Sequence, residues 1–128
     1  MSDYTFTIFT DSDDRKLKID ISSAKIPDKA MIAYDKEHNE IKIEDLSYYV
    51  SNYVIKDTGE VVEQKLEKNI IEKNLESLVE PLKIAVKNAL KLEKYFGRPQ
   101  DIEGGIKDGR VYFWQTRDIV KKAIKHSF

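Results

Sequence analysis

Four hydrophilic residues near the C-terminal end have types and spacing that could do chemistry. Asp101 and Glu103 lie two positions apart, and Gln115 and Arg117 repeat that spacing beyond an Asp108-Gly109 turn. Side chains alternate along a strand, so Asp101 and Glu103 share one side and Ile102 takes the other. A carboxylate beside an amide oxygen offers hard oxygen ligands, which suit Mg²⁺ bound mainly through phosphate oxygens. A guanidinium nearby suits a phosphoryl group whose oxygens gather charge in transfer. From chemistry alone this face reads as half of a nucleotide–metal site. The other reading is a surface hairpin in which Arg117 forms an ion pair with the acids.

Which residues share the face depends on the turn. A two-residue Asp-Gly turn pairs Ile106 with Val111 and sets Glu103 opposite Trp114. A three-residue loop, Lys107-Asp108-Gly109, pairs Ile106 with Arg110. That second register sets Glu103 opposite Phe113 and Asp101 opposite Gln115. It collects Asp101, Glu103, Gln115 and Arg117 on one side, and Ile102, Ile106, Tyr112 and Trp114 on a core side. The sequence favours it because it separates polar from apolar residues.

The elements that must position this hairpin are legible upstream. Tyr4, Phe6 and Ile8 alternate with Thr5, Thr7 and Phe9, a period of two. Leu17, Ile19 and Ile21 alternate with charged residues after an Asp-rich turn, predicting a hairpin with one wet face. A second pair is predicted over 30–34 and 40–43, and a third joins 48–55 to Val61-Val62 across Asp57-Thr58-Gly59. The charged stretch 65–76 reads as a connector or an exposed turn of helix. A long helix then follows, with Ser77 and Glu80 as its capping box and Pro81 in the first turn. Its apolar stripe is Leu78, Leu82, Ala85, Ala89, Leu92 and Phe96, and Gly97 ends it. In the tail, Ile119, Val120 and Ile124 predict a short helical stripe with lysines exposed.

Composition narrows the function classes. The 128 residues suffice for one domain with its own core. A net charge of -1 gives no cationic excess for nucleic acid. Absent cysteines exclude a disulfide scaffold and a Cys-ligated zinc. No apolar run reaches the ~20 residues of a membrane span. The acidic start MSDYTFTIFTDSDD is unlike a signal peptide, so a cytoplasmic protein is expected. No GxGxxG or GxxxxGK loop is present. His38 and His126 are far apart and lack a second ligand at helical or strand spacing; His38 is expected to be solvated.

The ordered string Gly97-x-Pro99-Gln-Asp-Ile-Glu103, then Asp108-Gly-x-x-Tyr112, then Gln115-Thr-Arg117 resembles a known signature. It is similar to the end of the ATP-grasp nucleotide-binding domain of the pyruvate phosphate dikinase, phosphoenolpyruvate synthase and glucan water dikinase family. Ile26-Pro-Asp28 and Tyr34-Asp-Lys36 are similar to further pieces of it, so the likeness covers the last third closely and the rest loosely. Where the family has a glycine-rich loop, this chain has Asp20-Ile-Ser-Ser-Ala24. The resemblance implies that Glu103 and Gln115 bind the Mg²⁺ that holds ATP. It implies that Arg117 stabilises phosphoryl charge and that Asp101 orients these groups or touches the nucleotide. It also implies partners in cis or trans, namely an N-terminal ATP-grasp lobe and a phosphohistidine domain, since nothing here matches either.

The expectation is an α+β domain over 1–128, antiparallel hairpins packed on one long helix, like the C-terminal lobe of an ATP-grasp domain. Its expected role is the Mg-ATP-binding wall of a dikinase-type phosphotransferase, inactive alone. The rival is a non-catalytic interaction or regulatory module that keeps only the shape.

Overall fold

Alternating apolar residues in the first half build most of a sheet. A computed structural model of the chain describes residues 2–11, 15–47, 52–64 and 69–120. Strands β1 (Tyr4–Phe9), β2 (Lys16–Ser23), β3 (Lys29–Asp35) and β4 (Glu40–Leu46) form a meander. A hairpin follows, β5 (Asn52–Ile55) and β6 (Val61–Gln64), which pairs only with itself. Next come a one-turn helix α1 (Ile70–Lys73), the long helix α2 (Leu75–Phe96), and a last hairpin, β7 (Gln100–Lys107) and β8 (Arg110–Asp118). The main sheet has six strands in the order β4-β3-β2-β1-β7-β8, each antiparallel to its neighbours. The protein is thus α+β as expected, one antiparallel sheet with one long helix.

The helix covers one face of the sheet. Phe6, Ile8, Leu17, Ile19, Ile21, Ile32, Ile102 and Ile106 meet Leu78, Leu82, Ala85, Val86 and Ala89 in a single core. The predicted stripe holds, with two changes. Pro81 and Val86 join the buried set, and Phe96 is 43% exposed at the helix end. Gly97 closes α2 in the left-handed region at φ 72°, donating to the Glu93 carbonyl at 2.9 Å.

The helix starts earlier than its capping box suggests. Ser77 lies in the first turn of α2, where its hydroxyl donates to the Asn74 carbonyl at 2.8 Å. Pro81 is consequently inside the helix. The stretch 69–76, expected as a connector or an exposed turn of helix, holds α1 and the start of α2, and its turn is buried rather than exposed: Ile71 is fully buried and Asn69 caps α1 through the Ile71 amide. Burial of one apolar side chain outweighs the local charge pattern here. The stretches 48–51, 65–68 and 121–128, including the expected tail helix, lie outside the described residues.

The last hairpin corrects the favoured register. The turn has two residues, Asp108 at φ 51° and Gly109 at φ 74°, so Lys107 pairs with Arg110 and Ile106 with Val111. Two successive positive φ values match the right-handed twist of the flanking strands. A bulge then inserts Trp114, so Gly104 faces Phe113 but Glu103 faces Gln115 and Asp101 faces Arg117. The core side of β8 is therefore Val111 and Phe113, with Phe113 edge-on to Phe6 at 6.0 Å. Tyr112 and Trp114, expected inside, are 49% and 54% exposed. Gly104 permits this approach. A Cβ there would strike the Tyr112 carbonyl oxygen and come within 2.7 Å of the Phe6 ring. Gly104→Ala is expected to destabilise the protein by about 1–3 kcal/mol, the range for overpacking a filled site. Urea denaturation measures this, and an unchanged midpoint would show that the bulge does not need the glycine.

Candidate functional site

The bulge brings all four sequence-nominated residues to one face. Glu103 stands opposite Gln115, and Asp101 opposite Arg117, with Cβ atoms of such direct pairs about 5 Å apart. This face is the one α2 leaves uncovered. On β1, the residues opposite Glu103 and Asp101 are Thr7 and Phe9. Phe9 in turn carries Lys18 of β2 over its ring, 5.3 Å from the centroid.

Charge within the group is met by the chain itself. Arg117 Nη2 lies 3.6 Å from Asp101 Oδ2 and 3.9 Å from Glu103 Oε1. Both distances exceed hydrogen-bond length, so one guanidinium spans two carboxylates by Coulomb attraction alone. Arg117 is 59% exposed, Glu103 35% and Asp101 22%. Water screens such pairs strongly, and each contributes ~1 kcal/mol or less. Asp101 Oδ1 is buried without a hydrogen-bond partner, and no other buried side-chain polar atom among the described residues shares that condition. The described residues hold no group of three or more His, Cys, Asp or Glu side chains arranged for a metal ion.

Below the site, a buried amide ties the two strands and β1 together. Gln100 is 1% exposed. Its Nε2 donates to Asp118 Oδ1 at 2.7 Å, and its Oε1 accepts from the Thr116 hydroxyl at 2.8 Å. Its backbone N–H donates to the Thr10 hydroxyl at 2.7 Å, while the Thr10 N–H returns to the Gln100 carbonyl at 3.0 Å. Arg98 holds the other oxygen of Asp118 at 3.2 Å. These bonds fix the strand direction from which Asp101 and Arg117 project. Gln100, Thr10 and Asp118 were not among the expected site residues: Thr10 and Asp118 lie 90 and 18 positions from Gln100, so no local spacing announces them. The outward placement of Tyr112 and Trp114 likewise follows from the two-residue turn and the bulge, which no single residue type signals.

A second ionisable cluster sits in the β3–β4 turn. The Asp35 carboxylate accepts the backbone N–H groups of Glu37 at 2.9 Å and His38 at 3.2 Å, and meets the His38 ring Nδ1 at 2.9 Å. His38 is solvated, as expected, but it is also paired. The side-chain bond to Asp35 raises His38 above the ordinary imidazole value and holds Asp35 below the ordinary carboxylate value.

The geometry can be set against known proteins: no family model matches the chain, and no curated protein matches it as a relative. Among the described residues, no helix is long and apolar enough to cross a membrane.

Two outcomes follow from the site's construction. Gln100→Ala removes satisfied buried bonds and is expected to destabilise by about 1–3 kcal/mol. Arg117→Met removes screened pairs and is expected to change stability by ~1 kcal/mol or less. Denaturation of both variants compares them, and equal losses would contradict the division between clamp and display. In the turn, the raised His38 contributes order that is complete below its unfolded-state value, about pH 6.5, and is lost as pH rises through its folded value. The lowered Asp35 contributes order that is complete above about pH 4 and is lost as pH falls through its folded value. The turn is therefore tightest between about pH 4 and 6.5. An NMR titration of the His38 ring should show a lower midpoint in Asp35→Asn; identical midpoints would refute the coupling.

Proposed function

We propose that this chain acts as a non-catalytic interaction module, and that the uncovered face of β7 and β8 is its recognition surface. The observation that carries this reading is the pairing of Arg117 with both Asp101 and Glu103. The cation between the two carboxylates is supplied by the chain itself. Beside it the bulge displays Trp114 and Tyr112, half exposed on a rigid sheet. Trp, Tyr and Arg are the side chains most enriched among residues that dominate protein–protein contacts.

A second reading keeps the ATP-grasp resemblance. In it the chain is the Mg-ATP-binding lobe of a dikinase-type phosphotransferase, working with an N-terminal lobe and a phosphohistidine domain. Specific observations favour it. Glu103 faces Gln115 across the hairpin, and Asp101 Oδ1 lacks a partner. That donor set fits a Mg²⁺ bound chiefly through phosphate oxygens. Glu103 and Gln115 would hold the ion, whose charge would draw in the ATP phosphates. Arg117 would have to leave its carboxylates to reach a phosphoryl group.

The chain has one tryptophan, Trp114, so its fluorescence reports on this face directly. Titration with Mg-ATP to about 1 mM should leave the emission unchanged in the wild type and in Glu103→Ala. A saturable change in the wild type that Glu103→Ala abolishes would replace the first reading by the second. Against a cross-linked protein partner, Trp114→Ala and Arg117→Glu should each weaken binding by about tenfold or more, the 1.4 kcal/mol scale of a contact residue. Undiminished binding by both would move the contact elsewhere.

A further inference from the structure

We propose that the β5–β6 hairpin, 52–64, is an appendage to a body that folds without it, so that the six-stranded sheet, α1 and α2 keep their structure when the hairpin is removed. The chain on either side of it, at Ser47 and Asn69, is held together by the body. Asn69 Nδ2 donates to the Ser47 carbonyl at 2.8 Å and to the Lys29 carbonyl at 3.1 Å. Ser47 N–H donates to that same Lys29 carbonyl at 3.0 Å, and its hydroxyl accepts the Lys29 N–H at 2.9 Å. Asp28, 4% exposed, receives the Ile70 N–H at 2.8 Å on the helix side of the neck. The chain therefore leaves β4 and re-enters at α1 at nearly the same point.

The described side chains of the hairpin contribute nothing to the core. β5 and β6 pair only with each other. None of the core residues, buried or partly buried, comes from 53–62. Tyr53, Ile55 and Val61 are 66%, 72% and 60% exposed, and Val54 is 45% exposed, so neither side of the hairpin is covered. A two-stranded hairpin with no covered face adds little to the stability of the body beside it. Closing the neck with a short linker also removes the ordering of a long loop.

The test joins Ser51 to Lys65 by linkers of three and six Gly/Ser residues in place of 52–64, whose ends already pair as Asn52 with Gln64. Each variant should unfold cooperatively, with a midpoint within about 5 °C of the parent, the shift that corresponds to ~1 kcal/mol in a domain of this size. Native-state hydrogen exchange on the intact chain provides an independent reading. Amides of β5 and β6 should lose protection at denaturant concentrations where β1, β2 and β7 remain protected. Loss of cooperative folding with both linkers, or a larger fall in midpoint with both, overturns the proposal. So does exchange of the β5 and β6 amides only through global unfolding.

Discussion

At Gly104 there is room for a carbonyl and an aromatic ring where any other residue would place a methyl group. The Tyr112 carbonyl oxygen and the Phe6 ring fill that room, and the bulge at Trp114 forms beside it. The consequence runs through the whole face. With a two-residue turn and no bulge, the pairing Lys107–Arg110 would continue to Glu103–Trp114, Ile102–Gln115 and Gln100–Arg117. Gln115 and Arg117 would then point toward the helix, and both would need burial. A one-residue slip reverses every side chain that follows it. The bulge makes that slip once, so the strand is apolar inward on the turn side of Trp114 and polar outward beyond it.

The electrostatics of the face follow from which side α2 covers. An antiparallel sheet tolerates water on one surface, and here that surface carries charges of both signs, Lys18 and Arg117 with Asp20, Asp101 and Glu103. Lys18 and Asp20 approach to 3.9 Å, much like the Arg117 pairs. Contacts this long in solvent hold side chains loosely. The same looseness distinguishes the two functional readings. A recognition face needs its charges to re-pair with a partner at little cost, and a metal–nucleotide site needs its arginine freed. Both start from a guanidinium that is attracted but not hydrogen-bonded. The outer edges are guarded differently. β4 alternates Glu40, Lys42 and Glu44 along its length, and β8 is interrupted by its bulge, two devices that discourage edge pairing.

Much of this architecture was legible because alternation is a strong signal where one face is buried. Tyr4 to Ile8 and Leu17 to Ile21 declare their inward residues directly, and the α2 stripe is readable from Leu78 to Leu92. The face that joins Asp101, Glu103, Gln115 and Arg117 was also foreseen, though through the wrong turn. Moving Gly109 into a three-residue loop produced the same polar face that Asp108-Gly109 and the bulge produce together. Two offsets of one residue are equivalent for the distal half of the hairpin and opposite for the near half, which is why Tyr112 and Trp114 were misplaced. Ile71 shows the opposite limit. It stands beside Ile70 in a stretch otherwise rich in charge, and α1 packs against β2, some fifty positions away, as well as against α2. Gln100 shows the same limit for polar groups, because its value lies in Thr10 and Asp118.

The buried polar groups set the display face apart from the rest of the protein. Thr10, Asp28, Asn69 and Gln100 are all at least 96% buried, and each makes hydrogen bonds that stitch one element to another. A buried polar atom without such a partner costs about 1–3 kcal/mol, and this fold avoids that cost at every one of these joints. Asp101 Oδ1 alone goes unmatched among the described residues. No joint requires it, since Gln100 and Thr116 already lock the two strands beside it. A carboxylate kept in a position where an uncharged residue would serve the fold equally well is a departure from local consistency, and such departures concentrate where a protein meets something outside itself. That argument points to the uncovered side of β7 and β8 whichever ligand it receives.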